Sequence, residues 1–278
     1  MFLAMEEFDP RPLGVFDSGI GGLTVLAAIH RIMPWENTIY LGDTARVPYG
    51  TKSPEVVTRY ALNNASFLAK KGIKLLVVAC NTASSVALPA LKEALDIPVL
   101  GVIEPGARRA LGMSRSGIIG VIGTQGTVSS DAYRKSINAN DPMAKVFSKA
   151  CPLFVPLAEE GWGDHHVAYT VAQQYLQQWS MENHIDSLIL GCTHYPLLIP
   201  AIAKAVGSGV ELVDSANAVA QAVFNLLYPA QPQSRKLPLA KGAHVYFVTD
   251  VPDRFSLVGK RFLGRDLEGI EQVDLVIP

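Results

Sequence analysis

Two cysteines in matching surroundings are the residues of this sequence best placed to do chemistry. Cys80 ends the apolar run Ile73-Lys74-Leu75-Leu76-Val77-Val78-Ala79, and Cys192 ends Ile185-Asp186-Ser187-Leu188-Ile189-Leu190-Gly191; the two octapeptides align without gaps. Earlier in each stretch, Gly14-Val15-Phe16-Asp17-Ser18 aligns on Gly120-Val121-Ile122-Gly123-Thr124, again a strand-like run ending in a hydroxyl residue. The offsets are 112 and 106 positions. Two aligned pairs in the same order favour an internal duplication over coincidence. A thiol on each side of one carbon supplies a base and an acid in mirror positions: the ionised one removes a proton from one face and the neutral one delivers a proton to the other. Such a pair suits inversion at a carbon that carries a proton.

The neighbouring residues fit an anionic ligand. A free thiol ionises near pH ~8.5, and a helix N-terminus lowers that value; a helical pattern follows each cysteine, so a helix start is expected at both. Asn81 and Thr82 follow Cys80, while Thr193 and His194 follow Cys192, and all can donate hydrogen bonds to a carboxylate. Ser18-Gly19-Ile20-Gly21-Gly22 reads as an anion cradle opening a helix, with the spacing of neither a dinucleotide fingerprint nor a P-loop. Plainer readings stand beside these. A lone strand-end cysteine is by default a packed core residue, Asp17 before Ser-Gly reads equally as a turn or helix cap, and His194 as a solvated histidine. Cys151 has no partner in the repeat and precedes Pro152, so it reads as structural. His165 and His166 point about 100° apart on a helix and read as a solvated helix start rather than metal ligands. Three cysteines at separations of 71 and 41 positions suggest neither a disulfide framework nor a zinc site, and neither metal nor cofactor is expected.

Positioning these residues falls to an α/β scaffold, because β-rich runs alternate with helical patterns. Residues 13–17, 38–42, 74–79 and 99–103 read as strands, with helices over 22–33, 54–71 and 82–95; Ser53 is a natural N-cap with Pro54 at the first helical position. The pattern restarts with a strand at 117–122, helices at 128–139 and 164–183, and a strand at 186–190. After Ala216 come a helix to about 227, a connector through Pro229, Pro232 and Pro238, and strands at 244–248 and 273–277. The organisation expected is two pseudo-symmetric parallel-sheet α/β domains facing across a central cleft: 1–105 carrying Cys80, 106–216 carrying Cys192, and 217–278 folding back on the first. Open parallel sheets bind ligands beyond the carboxyl ends of their strands. Both cysteines lie there, so facing domains would bring two sulfurs to one ligand.

Composition sets the broad class. With 278 residues, 49% hydrophobic, and 24 basic against 25 acidic side chains, the chain reads as an ordinary globular protein, without the charge bias of a nucleic-acid or membrane-surface binder. Mean hydropathy is positive, yet apolar runs such as 75–80 fall far short of the ~18 residues of a spanning helix. Glu6, Glu7 and Asp9, with no basic cluster before an apolar stretch, do not make a secretory signal. A cytoplasmic location is expected.

Several motifs together resemble one family. Asp17-Ser18-Gly19-Ile20-Gly21-Gly22-Leu23-Thr24-Val25, Gly42-Asp43-Thr44-Ala45-Arg46-Val47-Pro48-Tyr49-Gly50, Ala79-Cys80-Asn81-Thr82-Ala83-Ser84 and Gly191-Cys192-Thr193-His194-Tyr195-Pro196 look like bacterial glutamate racemase. Gly123-Thr124-Gln125-Gly126-Thr127-Val128 and Pro156-Leu157-Ala158-Glu159-Glu160-Gly161 continue the resemblance, which runs from about Leu13 to Ala216. It implies interconversion of L- and D-glutamate without pyridoxal or metal, feeding D-glutamate into peptidoglycan. It further implies that Cys80 takes the proton from D-glutamate and Cys192 from L-glutamate, with Asp17 and His194 beside the thiols. Glu159 would tune one base, although Glu160 adjoins it. Asp17, Ser18, Tyr49, Gly50, Asn81, Thr82, Thr124, Thr127, Thr193 and His194 would hold the substrate. Glutamate is the partner implied, with a homodimer left open. The alternatives are a racemase for aspartate or a hydantoin, and a bilobal amino-acid-binding protein without chemistry. His194 after Cys-Thr, where the aspartate enzymes would carry an acidic residue, points to glutamate.

Overall fold

The structure is a computed structural model and describes residues 8–229 and 237–275. Short apolar runs buried on both faces form its inner strands, the pattern required when helices cover both sides of a parallel sheet. The first half runs β1 (Leu13–Asp17), α1 (Leu23–Ile32), β2 (Thr38–Gly42), α2 (Pro54–Lys70), β3 (Leu75–Val78), α3 (Asn81–Val86), α4 (Leu88–Ala94), β4 (Val99–Gly101) and α5 (Ile103–Met113). The second runs β5 (Ile118–Gly123), α6 (Gln125–Ser129), α7 (Ala132–Asn140), β6 (Lys145–Ala150), α8 (Phe154–Glu159), α9 (His166–Glu182), β7 (Ser187–Gly191), α10 (Ile199–Val206), β8 (Glu211–Asp214) and α11 (Ser215–Leu227). The remainder supplies β9 (His244–Val248), α12 (Pro252–Leu263) and β10 (Ile270–Gln272).

The duplication seen in the sequence recurs as topology. The six-stranded sheet has the order β10-β9-β2-β1-β3-β4 and the four-stranded sheet β6-β5-β7-β8, with every pairing parallel. Removing β9 and β10 leaves two sheets of identical order. Register matches as well: Gly14 lies opposite Leu76 on β3, and Gly120 opposite Leu188 on β7. A Cβ on Gly14 would lie 2.5 Å from Ile73 Cδ1, and one on Gly120 would lie 3.0 Å from Ile185 Cδ1, so each half uses glycine to seat the isoleucine that opens its cysteine strand. In both sheets the strand order reverses between the strand ending in the hydroxyl residue and the strand leading to the cysteine, because the strand between them in sequence lies on the other side of the first. That is the switch point at which open parallel sheets leave a crevice.

The largest core cluster spans both halves, from Leu13, Val15 and Leu75 to Val121, Leu188 and Ile189. α1 packs on α11 and α12, and α5 on α7 and α11. A second cluster lies under α2, α3 and α4, on the other face of the first sheet. Ser53 caps α2 as its sequence suggested, accepting from Val56 N.

Differences from the sequence expectation are local. The single helix expected over 82–95 is two, α3 and α4, because Pro89 lacks an N–H and is tolerated only in the first turn of a new helix. The one expected over 128–139 is likewise α6 and α7, separated by Asp131 in the left-handed region at φ 57°. Helices α5, α8 and α12 were not anticipated, nor were β6 and β8; both strands lie at sheet edges with partly exposed faces, and they lack a continuous apolar run. The last strand lies at Ile270–Gln272 rather than 273–277, with Val273 N bonded to Val248 O. Residues 276 and 277, and Pro232 of the connector, lie outside the described residues.

Candidate active site

β3 delivers Cys80 to the N-cap of α3, where its Sγ accepts from Ala83 N at 3.5 Å and meets Ser18 Oγ at 3.6 Å. Ser18 and Asp17 arrive on the adjacent end of β1. Asp17 is buried; its Oδ2 accepts from Gly19 N at 2.9 Å, while Oδ1 has no hydrogen-bond partner. Burial raises the Asp17 carboxyl above its ordinary value, against the opposing pull of His194 and the backbone N–H groups of Gly19, Gly22 and Ser18. Burial, then the charge of Asp17, push the Cys80 thiol up to about 12, outweighing the Ala83 N–H and Ser18. Burial and that charge both favour the neutral thiol at Cys80.

Cys192 stands at the end of β7 in a different setting. No α-helix begins there: a 3-10 turn at Tyr195–Leu198 intervenes and α10 starts at Ile199. Pro196 and Pro200 each occupy a first-turn position, so the chain restarts twice, and the helix start expected beside this thiol is displaced from it. Charge comes from a side chain instead. Cys192 Sγ lies 3.8 Å from His194 Nδ1, and His194 Nε2 lies 3.1 Å from Glu159 Oε1. Burial opposes a charge on His194, yet Cys192, Glu159 and Asp17 together outweigh it and raise the imidazolium to about 10. The hydrogen bond from His194 holds the Glu159 carboxyl below its usual range despite partial burial, and Arg254 adds to that effect. Glu160 is exposed at the C-cap of α8, so Glu159 is the member of the pair that faces inward.

The two thiols line one cavity of about 80 Å³, together with Ser18, Tyr49, Gly50, Asn81, Thr82, Thr124, Glu159, Thr193 and His194. Asn81 Oδ1 accepts from Tyr133 Oη at 2.7 Å, and its buried Nδ2 has no partner, a donor left over for a ligand. Thr82 and Thr124 join their hydroxyls at 2.9 Å across the boundary between the halves. Two of the anticipated residues stand behind the wall rather than on it: Asp17, and Thr127, whose hydroxyl meets Thr124 at 3.1 Å and Thr82 at 3.3 Å. Tyr49 contributes its ring, because its hydroxyl turns away to Asp43 and accepts from Asn64 Nδ2 at 3.1 Å.

Glycines set how closely the halves approach. A Cβ on Gly21 would fall 2.2 Å from Thr193 Oγ1 and 2.4 Å from His194 Nδ1; one on Gly126 would fall 3.0 Å from the Gly50 carbonyl oxygen. Gly19 N is used within the turn by Asp17. The Gly-rich segment thus serves first as a close-packing surface between the halves. Gly19 and Ile20 of the expected cradle line the wall, and the unanticipated wall residues are Val47, Pro48 and Val155. Val155 precedes Glu159 by one helical turn, a spacing that could have revealed it. Phe262 of α12 meets the His194 ring edge-on at 5.1 Å, and no motif in the sequence signals it.

A duplicated parallel-sheet scaffold with paired strand-end thiols defines a class. Residues 21–223 match the Asp/Glu/Hydantoin racemase family, and the chain belongs to it. It is 56% identical over 268 residues to the glutamate racemase of Geobacter metallireducens, covering 95% of this chain and 97% of the relative. Among solved structures it is similar to a glutamate racemase isoform of Bacillus anthracis, with TM-score 0.88 and 41% identity over 95% of this chain and 98% of that one. It is also similar to the glutamate racemase of Francisella tularensis in complex with D-glutamate, with TM-score 0.88 and 38% identity over 96% and 99%. Among the described residues no helix is long and apolar enough to cross a membrane, and no three His, Cys, Asp or Glu side chains gather as a metal site.

Proposed function

We propose that the protein is an amino-acid racemase that interconverts L- and D-glutamate, with Cys80 and Cys192 as its two acid–base groups. The observation that carries this reading is the single cavity lined by one strand-end thiol from each half of a duplicated scaffold. With D-glutamate, the Cys80 thiolate takes the α-proton and the Cys192 thiol delivers its own to the opposite face; L-glutamate reverses the roles. Each turnover leaves one proton gained at one sulfur and lost at the other, so the thiols exchange protonation states and no external acid is consumed.

Cys80 must first lose its proton, and the unpartnered Oδ1 of Asp17 is the nearby group with capacity to accept one. An arriving substrate ammonium adds the positive charge that the Cys80 side otherwise lacks. On the other side the Glu159–His194 pair places an imidazolium beside Cys192, with His194 Nδ1 3.8 Å from the sulfur. Asn81 Nδ2, the hydroxyls of Ser18, Thr82, Thr124 and Thr193, and the backbone N–H groups that open α3 supply donors for the two substrate carboxylates. The Francisella relative's complex with D-glutamate supports the choice of substrate. We place the enzyme in the cytoplasm, where three free thiols stay reduced, supplying D-glutamate for peptidoglycan.

The test is a substrate panel on the purified protein with no cofactor added. Either glutamate enantiomer should drift to an equal mixture, while aspartate stays unchanged. Inversion of aspartate in place of glutamate would favour the second racemase reading, and inversion of neither would favour a binding protein.

A further inference from the structure

The C-terminal helix α12 packs on α1 in the first half of the molecule, yet several of its side chains end on the acid–base machinery of the second. Arg254 Nη2 lies 3.5 Å from Glu159 Oε2. Arg261 Nη1 donates to the Glu159 carbonyl oxygen at 2.5 Å, and a Cβ on Gly161 would stand 3.0 Å from the Arg261 guanidinium carbon, so glycine makes room for that cation. Phe262 sets the edge of its ring against His194, with centroids 5.1 Å apart at 78°. Positions 254, 258, 261 and 262 share one helical face, and the buried Val258 anchors it. Cys80, by contrast, takes its partners Ser18 and Ala83 from its own half. From this geometry, and resting on the glutamate-racemase reading above, we infer that α12 is the positioning element of the Cys192 side: Arg254 and Arg261 hold Glu159 from outside while Phe262 fixes the imidazole of His194, so the C-terminal helix sets how readily Cys192 exchanges its proton.

Isotope effects separate this role from a general loss of structure. With α-deuterated L-glutamate, Cys192 breaks the C–D bond, so slowing Cys192 makes that cleavage more rate-limiting. With α-deuterated D-glutamate, Cys80 breaks the bond and Cys192 only returns a solvent proton, so the same change hides the isotope. Two variants and one control are compared with wild type: R254Q, whose side chain is mostly exposed and leaves the core untouched, F262L, and R254K. In R254Q, kcat/KM should fall about 2- to 5-fold, the range an exposed ion pair can supply, and equally in both directions because the enantiomers are equal in energy. The isotope effect on kcat/KM should rise for L-glutamate and fall for D-glutamate. F262L should shift both the same way, with a rate loss of about 5- to 10-fold, and R254K should recover most of the R254Q loss. Isotope effects that stay at wild-type values or move together would overturn the assignment, as would a higher KM alone in R254Q, which would make Arg254 a substrate-attracting charge only. If wild type itself leaves glutamate unchanged, the functional reading fails and this assignment falls with it; symmetric isotope effects in an active enzyme sink the assignment alone.

Discussion

The two cysteine sites share a backbone and differ in their electrostatics. β1 and β3 place Asp17, Ser18 and Cys80 in the same order and register by which β5 and β7 place Gly123, Thr124 and Cys192. Around Cys80 the contacts are a hydroxyl, a helix N–H and a buried carboxyl, and the thiol is pushed up to about 12. Around Cys192 stand a histidine, a glutamate and the cations of α12. Duplication thus supplies two-fold placement of sulfur, while the neighbours of the two sulfurs differ. In the proposed mechanism one side relies on a carboxyl with an unpartnered oxygen, the other on an imidazolium.

The largest effect should come from removing either sulfur. C80S and C192S should each lower kcat by about 10³-fold or more, since a hydroxyl is a far weaker acid than a thiol and general acid–base catalysis is worth 10² to 10⁴; a chiral assay of glutamate measures it. Full turnover in one of them would reduce the pair to a single base. Next comes the contact that joins the halves. G21A places a methyl carbon within 2.4 Å of His194 Nδ1, and the displacement should lower kcat/KM by about 10- to 100-fold while circular dichroism still reports a folded chain. An unchanged rate would show that the halves can part without cost.

E159Q leaves the fold intact but removes the charge that sustains the His194 imidazolium. A loss of about 10-fold is expected, with isotope effects rising for L-glutamate and falling for D-glutamate, and symmetric changes would erase the distinction between the sides. The smallest effect concerns stability against pH. His194 is raised from 6.5 to about 10 in the folded protein, so its stabilising contribution is complete below 6.5 and disappears as pH rises to about 10. Cys80 and Cys151, raised from 9.0 to about 12 chiefly by burial, stay protonated after the unfolded chain has ionised, so stability falls further between about 9 and 12. Urea midpoints measured from pH 6 to 11 should decline throughout. H194Q should flatten the lower part of the curve and C151A the upper part.

Much of this was legible in the residues. The strands at 13–17 and 38–42 and the repeat that pairs Cys80 with Cys192 follow from apolar runs bounded by turn residues, and the structure gives β1 and β2 those bounds. Edge strands β6 and β8 were not legible, because exposure removes the continuous hydrophobic signal that inner strands carry. Proximity between distant segments was equally silent. The Glu159–His194 contact joins residues 35 positions apart, and Arg254 reaches Glu159 across 95; no local pattern encodes such distances. Tyr49 shows a subtler gap, since the resemblance implies that it holds the substrate without saying how, and the fold commits its hydroxyl to Asp43 and leaves the ring to line the cavity.

Proton traffic at the substrate's α-carbon probes the two-sided mechanism most directly. Wild-type protein is given L-glutamate in deuterium oxide and stopped early, then the enantiomers are separated and weighed by mass spectrometry, and the run is repeated from D-glutamate. Two opposed thiols predict one deuterium in the product and almost none in the recovered substrate, from either starting enantiomer. Equal labelling of both pools would mean that a single group returns protons to both faces, and would contradict the account.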